Sequence, residues 1–251
     1  MALRIAFDMD GVFADMDAEL ARQADMLFGD AVATRPVEAV DPPASNAPSD
    51  TPPDQPPQSR TADHEIALAM LQMTTRQQRQ LWSHIESIDN FWETLNEIET
   101  GSVRKLSALA TAGAWEVIFL TKRPRSGGAT AQLQTQRWLQ AKGFAFPSVY
   151  VVQGSRGRIA SALDLDFVID DRPENCLDVV MESKSQAILV WRDRETPMLA
   201  STRRLGIGVV KSVTECLDAL AQADSHELER PSIVDRVMRL LGLRTHTKSP
   251  S

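Results

Sequence analysis

Six short apolar runs rich in branched residues recur along the chain: Leu3 to Phe7, Trp115 to Leu120, Ser148 to Val152, Phe167 to Ile169, Ala187 to Trp191 and Ile207 to Val210. Continuous apolar runs of this length suit strands buried on both faces of a sheet. Between most of them lie stretches of helical length and period, at Ala129 to Lys142, Gly157 to Leu163 and Pro173 to Ser183. Strands joined through helices return parallel to one another, so the alternation predicts a doubly wound α/β fold, a parallel sheet with helices on both faces. Ligands bind such sheets beyond the carboxyl ends of the strands, and the search for chemistry belongs there.

The interval from Gly11 to Gly113 interrupts the alternation. It carries no strand signal and reads as helices over Phe13 to Phe28, Ala62 to Leu71, Thr75 to Ile88 and Phe91 to Ile98. Residues 36–58 hold eight of the chain's 14 prolines and almost no large apolar side chain, so burial cannot offset their ordering entropy. The expected organisation is an α/β core from 1–12 and 101–225, and a helical cap from 13–100 inserted after the first strand. A disordered proline-rich loop at about 34–60 lies within the cap, and an amphipathic helix with a tail occupies 226–251. The final helix, Pro231 to Leu243, sets Ile233, Val234, Val237, Met238, Leu240 and Leu241 on or near one stripe. That stripe suits docking on its own domain or on a twin subunit, so a homo-oligomer stays open.

Composition narrows the class. With 251 residues, 43% of them hydrophobic and 24% charged, the chain can build an ordinary globular core without disulfide or metal. Asp and Glu number 34 against 27 Lys and Arg, and the net charge of -7 argues against long nucleic acid as a partner. No apolar run approaches membrane-spanning length, and no signal-peptide pattern precedes the first strand, so no membrane partner is expected. Cys176 and Cys216 belong to no disulfide or metal spacing, which suits a reducing, cytoplasmic setting. A small anionic substrate in a basic or metal-loaded pocket remains allowed.

Four short signals follow the ends of predicted strands. They are Asp8-Met9-Asp10-Gly11-Val12, Thr121-Lys122-Arg123-Pro124, Gln153-Gly154-Ser155-Arg156-Gly157-Arg158 and Asp170-Asp171-Arg172-Pro173-Glu174-Asn175. Asp8, Asp10, Asp170 and Asp171 gathered in one crevice would repel each other unless a cation sat among them. A hard ion with oxygen ligands, most simply Mg2+, answers that need and ordinarily keeps room for a substrate phosphate. Thr121 offers a hydroxyl, and Arg156 or Arg158 a guanidinium, to phosphate oxygens. Lys122 and Arg123 are either solvated loop charges or contacts to substrate phosphate or base. Phe13, Phe91 and Trp92 are candidates for stacking on a substrate ring, against the alternative of core packing. The four histidines have no ligand spacing.

In these motifs the sequence resembles the haloacid dehalogenase superfamily of phosphohydrolases, with its Rossmann-like core. Asp8 to Val12 match the first motif, Thr121 the second, a basic residue near Arg156 the third, and Asp170-Asp171 the fourth. The resemblance implies a Mg2+-dependent phosphomonoesterase in which Asp8 is the nucleophile and Asp10 the general acid and base. Asp8, the Asp10 carbonyl and Asp170 would hold the metal, Asp171 would support it, and Thr121 with the third-motif base would hold the phosphoryl group. The family's commonest third motif has lysine where this chain has Arg156, or Arg158 in the other register. The cap position, Asp15, Phe91-Trp92 and the string Ile169 to Asn175 are similar to the 5'-nucleotidase and deoxyribonucleotidase-like branch. The expected substrate is therefore a small phosphorylated metabolite, with nucleoside monophosphates prominent. The alternatives are a sugar-phosphate or polynucleotide-end phosphatase, and a phosphate- or nucleotide-binding regulatory protein without turnover.

Overall fold

The run that opens the chain forms β1 (Arg4–Asp8), a central strand whose Ile5, Ala6 and Phe7 are fully buried. It is flanked by β2 (Glu116–Thr121) and β4 (Phe167–Asp170), with β3 (Ser148–Val151), β5 (Gln186–Val190) and β6 (Gly208–Val210) completing the sheet. Every adjacent pair is parallel, in the order β3-β2-β1-β4-β5-β6. The six predicted strands are the six observed, each within a residue or two. This computed structural model describes residues 2–29, 73–192, 204–225 and 233–242. The proline-rich loop, the helix predicted over Ala62 to Leu71 and the tail from 243 fall outside them.

Alternation along each strand sorts the side chains onto two faces. Ala6 lies beside Ile118 and Val168, and this face packs on Ala160, Cys176 and Val179. Those three belong to α5 (Arg156–Ala162) and α6 (Pro173–Glu182), numbered in chain order. Phe7 lies beside Phe119 on the other face, where the Phe13 ring sits 5.5 Å from Phe7 and 6.1 Å from Phe119. Phe144, just past α4 (Ala131–Ala141), meets Phe119 edge-on at 5.0 Å. Each fully buried Phe contributes roughly 1.5–3 kcal/mol of transfer free energy.

The chain divides into two compact units, Met1–Glu19 with Ile85–Ser251, and Leu20–His84. The first contains the whole sheet, α3 (Ser102–Gly113), α4, α5, α6, α7 (Val213–Ser225) and α8 (Ile233–Leu240). In α8, Val237 and Met238 are buried, and the helix packs against α7. The described part of the second unit is most of α1 (Met16–Phe28) and α2 (Thr75–Ser87). There His84 Nε2 and Gln23 Oε1 lie 3.0 Å apart. No helix among the described residues is long and apolar enough to cross a membrane.

Two helical expectations need correction. The helix predicted from Phe13 begins at Met16, because Phe13 and Ala14 both donate backbone N–H bonds to Met9 O in a tight turn. Asp15 then caps the helix by accepting from Ala18 N at 3.1 Å. Of the helix predicted over Phe91 to Ile98, only a 3-10 turn at Phe91–Glu93 forms. Beyond it the backbone is claimed by the turn after β1: Asp15 N donates to Asn96 O and Ile98 N to Phe13 O. These tertiary hydrogen bonds outweigh the local helical period.

Candidate active site

Strand parity decides which neighbours each motif residue meets. Asp8 and Asp170 share the parity of Ala6 and Val168, the face covered by α5 and α6. Ser155 starts α5 by accepting from Gly157 N at 3.1 Å and Arg158 N at 3.4 Å. That cap makes Arg156 the first helical residue and aims it inward, where it is 2% exposed. Gly157 allows the approach, since a Cβ there would lie 2.1 Å from Asp178 O. Arg156 Nη2 donates to Asp8 Oδ1, and its Nε lies 3.5 Å from Asp170 Oδ2. Arg158, in contrast, is 81% exposed at its side chain and pairs at 3.5 Å with Glu182. The two registers left open by the sequence thus separate: one guanidinium is inside the carboxylate cluster, the other on the surface.

The cluster is electrostatically demanding. Burial, and then the charge of Asp170, push Asp8 well above the ordinary carboxylate range, against the pull of Arg156. Burial likewise raises Asp170, opposed by Arg156 and by Asn175, whose Nδ2 donates to its two oxygens at 3.0 and 3.1 Å. Asp171 is pushed up to about 8 by burial and by Asp170. Its Oδ1 is enclosed with no hydrogen-bond partner among the described residues. Asp171 also lies over the first motif: a Cβ at Gly11, which has φ +81°, would fall 2.0 Å from Asp171 Oδ2.

On the opposite parity, Thr121 is fully buried and donates from Oγ1 to Asp10 Oδ2 at 3.2 Å. Arg123 grips the same carboxylate. Its Nε donates to Asp10 Oδ1 and Oδ2 at 3.1 and 2.9 Å, and its Nη2 to Oδ1 at 2.7 Å. The choice left open for Arg123 is thus settled against a solvated loop charge, and its side chain, at 0% exposure, has no surface for a substrate. Lys122 stands partly buried in the same loop. Phe13, Phe91 and Trp92 are fully buried, Phe13 among Phe7 and Phe119, and Phe91 edge-on to Trp92 at 4.9 Å. None of the three presents an open ring face for stacking.

Sequence reasoning assigned no site role to Asn175, Thr135, Arg192 or Glu99. Arg192, two residues past β5, donates from Nη1 to Gly11 O and from Nη2 to Val12 O at 3.1 Å, and pairs at 2.9 Å with Glu99. Glu99 in turn accepts from Val213 N at 2.8 Å and Thr214 N at 2.9 Å, capping α7. Asn175 was visible in the fourth-motif string. Arg192 and Glu99 carry no local signal, because their partners are far away in the chain.

The donor chemistry fits a hard cation: carboxylate oxygens of Asp8, Asp170 and Asp171, mutually repelling, with one enclosed oxygen unpartnered. Among the described residues no three His, Cys, Asp or Glu side chains are grouped so as to hold a metal ion by themselves. An ion here would complete its shell with water, the Asp10 carbonyl or substrate oxygens.

No protein-family model and no curated protein matches the sequence. Solved structures do. A haloacid dehalogenase family hydrolase from Deinococcus radiodurans R1, crystallised with phosphate and sodium, is similar with 16% identity and a TM-score of 0.53 over 88% of this chain and 96% of that one. A haloacid dehalogenase-like hydrolase from Streptococcus pneumoniae follows at 11% identity and a TM-score of 0.48, covering 86% and 97%. With its six parallel strands and flanking helices, this chain therefore has the α/β fold of the Deinococcus haloacid dehalogenase family hydrolase.

Proposed function

We propose that the chain is a Mg2+-dependent phosphomonoester hydrolase acting on a small phosphorylated metabolite. One observation carries the reading: Asp8, Asp10, Thr121, Arg156 and Asp170 end or follow four neighbouring strands and interact in two groups, Asp8–Arg156–Asp170 and Asp10–Thr121. The phosphate in the Deinococcus structure is in keeping with it.

In the first step a carboxylate oxygen of Asp8 attacks phosphorus and the bond from phosphorus to the ester oxygen breaks, leaving an aspartyl-phosphate. Asp10 gives its proton to the departing alkoxide. In the second step Asp10 takes a proton from water as the water oxygen attacks the same phosphorus, and the bond from phosphorus to Asp8 breaks. Arg156 holds the non-attacking oxygen of Asp8, which fixes the direction of attack, Thr121 holds an oxygen of Asp10 through its hydroxyl, and Lys122 serves the phosphoryl oxygens. Mg2+, held by Asp8, the Asp10 carbonyl and Asp170 with Asp171 behind them, would supply the positive charge that lets a carboxylate approach a phosphate.

The test is phosphate release from nucleoside monophosphates, sugar phosphates, a 3'-phosphorylated oligonucleotide and 4-nitrophenyl phosphate, with Mg2+ or EDTA. Release that needs Mg2+ and disappears in Asp8→Asn is expected, and the best substrate assigns the class. Mg2+-linked binding of these compounds without release from any would replace the enzyme reading by that of a binding protein.

A further inference from the structure

We propose that Arg123 is the positioning residue of Asp10, clamped by Trp92 and Thr135 so that one orientation of the Asp10 carboxyl is presented to the leaving group. The proposal rests on the phosphatase reading above and deepens it.

All three nitrogens of the guanidinium are engaged. Nε and Nη2 make the three hydrogen bonds to Asp10, and Nη1 donates to Thr135 Oγ1 at 2.9 Å. The Thr135 hydroxyl donates its hydrogen bond to Ala131 O at 2.7 Å, so its lone pairs face Arg123. One face of the guanidinium lies on Trp92, 5.1 Å from the ring centroid. Trp92 is itself pinned, with Nε1 donating to Pro124 O and its backbone N to Gln134 Oε1, both at 3.0 Å. The Arg123 side chain is 0% exposed and that of Asp10 is 13% exposed. Arg123 can therefore influence a substrate only through Asp10.

A carboxyl that must reach a leaving oxygen and later a water needs a fixed rotation about its Cβ–Cγ bond, since small misplacements of a proton donor cost large factors in rate. A planar fork on two oxygens fixes that rotation, whereas a single ammonium would not. Asp10 keeps its small exposed edge for the reaction while its other contacts are held by Arg123 and Thr121.

The experiment compares kcat/KM for 4-nitrophenyl phosphate, whose leaving group needs little protonation, with that for glycerol 2-phosphate, whose alkoxide needs a proton. A defect in Asp10 orientation grows with leaving-group basicity. Arg123→Met is expected to lose at least about tenfold more on glycerol 2-phosphate than on 4-nitrophenyl phosphate, in the same sense as Asp10→Asn. Arg123→Lys should not restore the ratio. Thr135→Val, which removes the Nη1 acceptor together with the hydroxyl's own bond to Ala131 O, should shift the ratio in the same direction by less, and it serves if Arg123→Met does not fold. Equal losses on both esters would make Arg123 merely structural and overturn the proposal. If the wild-type protein hydrolyses neither ester, it is the phosphatase reading that fails on these substrates. The clamp is then judged by thermal unfolding of Asp10→Asn, Arg123→Met and the double variant. Coupling, with a combined Tm loss smaller than the sum of the two, is expected, and additivity overturns it.

Discussion

Arg156 is buried between two carboxylates that it keeps in register. Asp8 and Asp170 would otherwise stand together with their pKa values raised and nothing between them. Arg156→Met leaves that pair uncompensated, so in EDTA it should lower stability by about 3–5 kcal/mol in urea denaturation. Mg2+ should return part of the loss, since a cation on the same oxygens replaces part of the missing charge. A wild-type denaturation midpoint in the variant would contradict this account. The choice of Arg156 over Arg158 was not legible in the sequence. It depends on Ser155 capping α5 and so setting the helix phase, which aims one arginine inward and the next basic residue out. Arg123 shows the reverse limit: a loop arginine two residues after Thr121 looks like a surface charge until the fold puts Asp10, Thr135 and Trp92 around it.

Among the elements, α7 illustrates how the motif loop is tied to distant structure. Its first N–H groups are satisfied by Glu99, which comes from the segment before α3 and also holds Arg192 against the carbonyls of Gly11 and Val12. Burial works to raise Glu99, but the donors of Thr214, Val213 and Arg192 prevail and lower it below its ordinary 4.5. Its contribution is therefore present above pH 4.5 and is lost as the pH falls through the lowered folded-state value. Glu99→Gln should cost about 1 kcal/mol at neutral pH, the scale of a lost helix cap. The difference from wild type should shrink on acidification. Chemical denaturation at pH 7 and pH 3.5 measures both, and a gap that widens in acid would show that the carboxylate is not the stabilising form. A glutamate more than a hundred residues from the helix it caps carries no sequence signature, because local cap rules concern residues beside the helix.

For the whole molecule, the carboxylate cluster predicts how stability responds to pH and metal. Asp171 titrates near 3.8 when unfolded and about 8 in the fold, raised by burial and by Asp170. Between those values the folded state holds a proton that the unfolded state has released. Metal-free protein should therefore lose stability as pH rises from 4 towards 8, and Asp171→Asn should flatten that slope. Mg2+ favours the ionised cluster, so it should raise Tm, and more at pH 8 than at pH 5. At a hundred times its Kd the gain at fixed pH is about 2.7 kcal/mol. Melting curves at several pH values, with EDTA or Mg2+, read all of this. A flat Tm in EDTA, or no Mg2+ response in wild type, would remove the cluster as the source.

What the sequence determined by itself was the set of strands and the carboxyl-end residues they deliver: Asp8, Asp10, Thr121 and Asp170. Both depend on local pattern, since an apolar run bounded by polar residues places its own ends. The phosphatase expectation followed from those residues and their resemblance to a known superfamily. The tertiary structure decided the rest: which arginine enters the cluster, why the period over Phe91 to Ile98 yields only a 3-10 turn, and why Phe13, Phe91 and Trp92 are core. It also turned Arg123 from a loop charge into the clamp on Asp10. In each case the deciding contact joins residues far apart in the chain, from Trp92 N to Gln134 up to Arg156 to Asp8. Such contacts arise only when helices and turns are packed against the sheet, and periodicity along one segment carries no information about them.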